Sequence, residues 1–254
     1  MKNISCAKLQ ALAFVALAAV LTSCSLTNVK NFEYSHNHDG KLFYISENLR
    51  NSFSIPDFPA DDSDEYYQDF KVLKGWQEQR TEEQCFAANS QEYSSMQELF
   101  PAYREFFNSL SDSDKYFLYR VYEDAHTINI TVKSKFTRPR PFHSDPSLEP
   151  CANIGRIKGY AYPSGHATMS GVFEKMMLVI DPDNEKGIKD AAQRAGMYRV
   201  LAGLHHPSDI KAGYALGADI YEALKKNSEF NKKLNSLHEK YVKFKSAKTK
   251  TNIK

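Results

Sequence analysis

The chain has 254 residues, 42% apolar and 25% charged, with 33 basic side chains against 31 acidic ones and a mean hydropathy of −0.54. This excludes a disordered chain and leaves room for one domain with a sizeable core. The near-balanced charge excludes a polyelectrolyte binder of nucleic acid, so any attraction for an anionic ligand must be local.

Residues 1–23 read as a targeting segment. Lys2 and Lys8 supply positive charge, and Ala11–Leu21 is an unbroken apolar run, too short for a membrane span and suited to a signal sequence. Leu21-Thr22-Ser23-Cys24 resembles a bacterial lipobox. That resemblance implies cleavage before Cys24, lipid on Cys24, and an exported, periplasm-facing chain tethered by its N-terminus alone. The alternative is an ordinary signal peptide with an incidental cysteine. Without residues 1–23 the chain holds 31 basic and 31 acidic residues. Cys85 and Cys151 are then the cysteines left over, and an exported compartment permits them to pair; two buried thiols is the other reading.

Residues 24–56 read as a tether or arm, extended around Ile55-Pro56-Asp57-Phe58-Pro59. His36, His38 and Asp39 lie in this stretch and read as linker residues rather than as a metal cluster. The main domain is expected over 57–226. Asp61, Asp62, Asp64 and Glu65 open a helix that continues through Tyr66, Phe70, Leu73 and Trp76. Thr81-Glu82-Glu83-Gln84 can cap a short helix. Met96–Phe107 is expected as one helix. Ser111 or Ser113 starts a long one running toward Lys133. Residues 138–163, with five prolines, form a loop long enough to wall a site. Helices are expected from Pro163 to Ile180, from Lys186 to Leu204, and from Pro207 to Lys225, with Gly213 and Gly217 allowing close packing. Residues 227–254 read as a basic helix or tail, solvated or facing anionic lipid. Strand alternation is nearly absent, so the fold class is all-α, a compact helical bundle.

Three pieces carry chemistry. Pro163-Ser164-Gly165-His166 opens a helix, where free N–H groups and the helix dipole attract anions. Arg199 precedes His205 by six positions and Asp209 follows His205 by four, so the carboxylate can fold back and fix the imidazole tautomer. His206 is a rival, off that spacing. Lys133, then six residues, then Arg140-Pro141 adds cations; Lys135 and Arg138 compete for this role.

In this order and spacing the pieces resemble the three-part signature of the type 2 phosphatidic acid phosphatase superfamily. Asp57–Cys85, Glu123-Asp124-Ala125, Arg138–Phe142 and Ser208-Asp209 resemble its bacterial class A nonspecific acid phosphatases more closely. The resemblance implies an all-α phosphomonoesterase with neither metal nor cofactor. It makes His205 the nucleophile, Asp209 its orienting group and His166 the general acid and base. Lys133, Arg140, Ser164, Gly165 and Arg199 would hold phosphate oxygens. Small phosphomonoesters are the implied substrates, and phosphate and vanadate the implied inhibitors. The two histidines should then sit in opposed environments, one protonated and one neutral, giving a bell-shaped pH profile. Leu204 and His206 flank His205 where related sequences often carry aromatic or polar residues, which bears on pocket size. Rival readings are a lipid-phosphate phosphatase, a vanadate-dependent haloperoxidase, a noncatalytic phosphate-binding lipoprotein and a zinc hydrolase using His166, His205 and His206. Oligomeric state stays open.

Overall fold

A computed structural model describes residues 40–251, apart from 92, 153–156 and 158. The signal segment, Cys24 and the His36–Asp39 cluster lie outside the described residues. Those described form helices and connecting turns, with no strand among them.

Ten α-helices follow in order: α1 Asp64–Gln79, α2 Glu82–Asn89, α3 Met96–Leu99, α4 Arg104–Ser109, α5 Asp112–Lys133, α6 Pro141–Ser144, α7 Gly165–Ile180, α8 Glu185–Leu201, α9 Pro207–Leu224 and α10 Ser228–Thr251. Most start on a side-chain cap. Ser63, Ser111 and Ser164 each accept from a backbone N–H in the first turn, and Thr81 and Gln84 form a reciprocal capping box. α7 is the axis of the bundle and packs against α5, α8, α9 and α10. Its faces bury Val172, Phe173, Met176, Met177 and Ile180.

Two glycines decide how closely α9 approaches α7. A Cβ on Gly213 would sit 2.6 Å from the Ser164 carbonyl oxygen, and one on Gly217 would sit 2.5 Å from that of Thr168. The glycine pair therefore brings the start of α9 against the start of α7, and the Ser164 N–H donates to the Asp209 carbonyl at 3.0 Å. The two motif segments meet through backbone.

Three expectations need correction. Met96–Phe107 is not one helix: Phe100 leaves helical geometry at φ −123°, ψ 64°, because Pro101 disfavours the α region for the residue before it. α8 stops at Leu201, since Gly203 turns left-handed at φ +75° and the Leu204 N–H bonds back to the Arg199 carbonyl at 2.9 Å. The described part of the arm is not loose. The N–H groups of Phe43, Tyr44 and Ile45 donate to the buried Asp124 carboxylate at 2.6, 2.8 and 2.9 Å, and Tyr44, Ile45 and Phe53 join the core. The basic C-terminal stretch is a helix, α10, that buries Phe230, Leu234 and Leu237.

Candidate active site

Asp209 is the buried centre, in the first turn of α9 behind Pro207. Its Oδ1 accepts from Arg138 Nη1 at 2.6 Å. Its Oδ2 takes three groups: the His206 backbone N–H at 2.8 Å, His206 Nδ1 at 3.1 Å and His205 Nδ1 at 3.3 Å. An ionised carboxylate only accepts, so both imidazoles carry their proton on Nδ1 where they meet it. The His205 Nε2 lone pair is thereby left free, and Arg140 Nη1 lies 2.7 Å from it. Arg138 reaches further: its Nη2 pairs with Asp69 at 2.8 Å, and Asp69 accepts in turn from the Ser208 N–H at 3.0 Å.

The start of α7 lies alongside. Ser164 is fully buried, and its Oγ caps the helix by accepting from the Ala167 N–H at 3.4 Å. His166 Nε2 donates to the Gln91 carbonyl at 2.6 Å. Lys133 ends α5 with its ammonium against the carbonyls of Tyr160, at 3.1 Å, Ala161, at 3.2 Å, and Pro163. Arg140 also donates to the Leu204 carbonyl at 3.0 Å, and Arg199 donates to that of Ala88. The Nε of Arg199 is buried without a partner.

The charges feel one another. Burial, and then Arg140, push Lys133 down to about 7. Burial lowers Arg140 and Arg199 to about 10. Burial and then Arg199 take His166 down to about 3, and burial and then Arg140 hold His205 well below the ordinary histidine value. The expected opposed environments of the two histidines are therefore not what the structure has. His205 is buried and His166 part-buried, and desolvation together with nearby cations disfavours a further proton on either, although Asp209 works the other way on His205. Burial works against the Asp209 carboxylate as well, but the hydrogen bonds from His205 and His206 outweigh it and keep the group below the usual carboxylate range.

No family model matches the chain. A non-specific acid phosphatase of Providencia stuartii is 28% identical over 118 residues, 45% of this chain and 47% of that protein. An acid phosphatase of Zymomonas mobilis is 29% identical over 103 residues, 40% of this chain and 39% of that protein. A lipid A 1-phosphatase of Rhizobium johnstonii is 35% identical over 81 residues, 32% and 33% of the two chains. Over these stretches the chain is similar to bacterial acid phosphatases and to a lipid A phosphatase. Each match spans less than half of its relative's length.

Of the residues in the three sequence motifs, the structure groups His205, Asp209 and Arg140 by direct contact, and Ser164 by its backbone bond to Asp209. Lys133, His166 and Arg199 join through their charge interactions with Arg140. Gly165 lies at the same helix start, where a Cβ would meet Asn129 Oδ1 at 3.4 Å. Cys85 and Cys151 are joined, with Cα atoms 5.7 Å apart. Arg138, set aside on spacing, holds Asp209 in a buried ion pair. Ser208 lies in the Ser208-Asp209 pair that resembles the class A enzymes, but no local pattern marks Asp69 or Gln91 as site residues, since their partners lie 69 to 139 positions away. The sequence signal for Arg138 is the likeness of Arg138–Phe142 to the class A enzymes.

Proposed function

We propose that the chain is a metal-independent phosphomonoesterase of the class A nonspecific acid phosphatase kind, working through a phosphohistidine on His205. The reading is carried by one contact. His205 Nε2 presents its lone pair 2.7 Å from Arg140 Nη1, so the free nitrogen of the nucleophile faces a cation suited to a phosphate oxygen. An arriving phosphoryl group takes that N–H onto its own oxygen and puts phosphorus in front of Nε2.

The Nε2–P bond then forms as the P–O ester bond breaks. His166 gives its proton to the departing alkoxide, which leaves as alcohol. In the second step His166 removes a proton from water as the oxygen attacks phosphorus, and the N–P bond breaks to give phosphate. Lys133, Arg140, Arg199 and the N–H groups at the start of α7 balance charge on the equatorial oxygens. The phosphoryl charge also offsets the field of Arg199 and Arg140, which raises His166 toward the protonated form it needs as an acid.

The test is hydrolysis of p-nitrophenyl phosphate by the full chain, with and without EDTA. Turnover that survives chelation, disappears in His205→Ala and leaves an acid-labile, base-stable phosphoenzyme in the wild type is the expected result. Competitive inhibition by phosphate and by vanadate should accompany it. Near-normal turnover by His205→Ala removes the mechanism, and loss of activity to EDTA moves the reading to a metal hydrolase.

The likeness to a lipid A 1-phosphatase favours a second reading, a lipid-linked phosphate. No helix among the described residues is long and apolar enough to cross a membrane. Turnover on micellar phosphatidate against a soluble nucleotide separates the two. The same proposal has the chain exported and lipidated at Cys24, and Cys24→Ser should then move it from the membrane to the soluble fraction.

A further inference from the structure

The His206 ring is 1% exposed and packs edge-on to Phe70, with ring centres 5.3 Å apart. Its Nδ1 lies 3.1 Å from Asp209 Oδ2, the same oxygen that His205 Nδ1 meets at 3.3 Å. Its other nitrogen, Nε2, is buried with no partner. A buried unpaired nitrogen is costly, and an apolar ring in the same place would pack against Phe70 without that cost. The return on the imidazole must come from the Nδ1 side, where it acts on the carboxylate.

We propose that His206 is a positioning residue for the nucleophile: by donating to Asp209 Oδ2 in competition with His205, it limits the hold of the carboxylate on the His205 proton and keeps Nε2 free further into the acid range. This rests on the phosphohistidine reading. An acceptor shared among three donors offers less to each, and a weaker hold by Asp209 makes an imidazolium at 205 less favourable. Other charged or titratable groups facing the pair are Arg138 and Arg140 from the loop before α6, Lys133 at the end of α5, Tyr162, and Asp69 of α1 through Arg138 and Ser208. None is altered by a change at 206.

The experiment compares pH profiles of kcat/KM for p-nitrophenyl phosphate in the wild type, His206→Phe and His206→Asn. Phenylalanine keeps the contact with Phe70 and removes the donor, whereas asparagine keeps an N–H near the position of Nδ1. His206→Phe should raise the acid limb by about half to one pH unit, a roughly three- to tenfold loss at the acid end with the plateau retained. His206→Asn should keep the wild-type limb. Identical acid limbs in both variants overturn the proposal.

A measurement on the unaltered protein needs no variant to fold. Two-bond 1H–15N spectra must place the proton on Nδ1 in both rings; an Nε2–H tautomer at either position overturns the proposal. The His205 titration read by the same spectra in His206→Phe does not depend on turnover. If p-nitrophenyl phosphate is not hydrolysed, or His205→Ala stays active, the phosphohistidine reading fails by itself, and an unmoved His205 titration still decides against the shared carboxylate.

Discussion

Arg138 bridges two buried carboxylates, Asp209 at 2.6 Å and Asp69 at 2.8 Å, with 2% of its surface exposed. Removing the guanidinium strands both. Arg138→Met should therefore destabilise by about 3–5 kcal/mol, read as a lowered urea midpoint, with activity lost even where the protein is folded. Arg138→Lys should recover only part, because one ammonium cannot span two carboxylates as a forked guanidinium does. Lys133 gives a pH prediction. With its pKa near 7, the cation is present below that value and lost as pH rises through it. The alkaline limb of kcat/KM should fall there, and Lys133→Arg, charged throughout, should flatten it; an unchanged limb would assign it elsewhere. His205 and Asp209 were legible because four positions across Pro207 is a local distance. Arg138 was not, because its partner Asp69 is 69 residues away and the Lys-x6-Arg-Pro spacing points to its neighbour.

The helices were legible where caps and apolar spacing agree, as in α5 from Ser111 or in α7 from Ser164. They were not where a breaker or a distant partner decides. Pro101 splits an otherwise helical pattern, and the lysines of α10 obscure an apolar stripe through Phe230, Leu234 and Leu237. The segment at 43–45 shows no period because its order comes from a side chain on α5. Asp124→Ala should leave three N–H groups without their acceptor, cost about 3 kcal/mol, and expose this segment first to hydrogen exchange. The glycine spacing on α9 was readable, and its consequence is sharp. Gly217→Ala meets backbone at 2.5 Å and should cost about 1–3 kcal/mol through separation of α9 from α7. Gly213→Ala presses on the Ser164 carbonyl, next to the Ser164–Asp209 bond, and should add about a hundredfold loss in kcat, as a misplacement of about 1 Å can. Equal kcat in the two variants would disconnect this packing from the chemistry.

Across the whole molecule, carbonyl groups of the loops hold the cationic and histidine side chains of the site. Ala88, in the last turn of α2, and Gln91, just past it, hold Arg199 and His166; residues 159–163 hold Arg140 and Lys133; Leu204 holds Arg140 again. These loops need a common frame, and the Cys85–Cys151 bond supplies part of it. Asn89 Nδ2 donates to the Cys151 carbonyl at 2.8 Å, and the Cys151 N–H donates to the Ala202 carbonyl at 3.2 Å. The bond therefore joins α2, the proline-rich loop and the end of α8, the stretches that carry the partners of Arg199 and His166. Closing a separation of 66 residues is worth about 4 kcal/mol by chain entropy. Reduction under native conditions, or a Cys85→Ser/Cys151→Ser double variant, should lower the melting temperature accordingly. It should also lower kcat more than it changes KM, because Ala88 and Gln91 lie three and six positions beyond Cys85 and lose their fixed place relative to α8. If the reduced protein melts earlier yet turns over at the full rate below its melting range, the bond stabilises the fold without setting the geometry of the site.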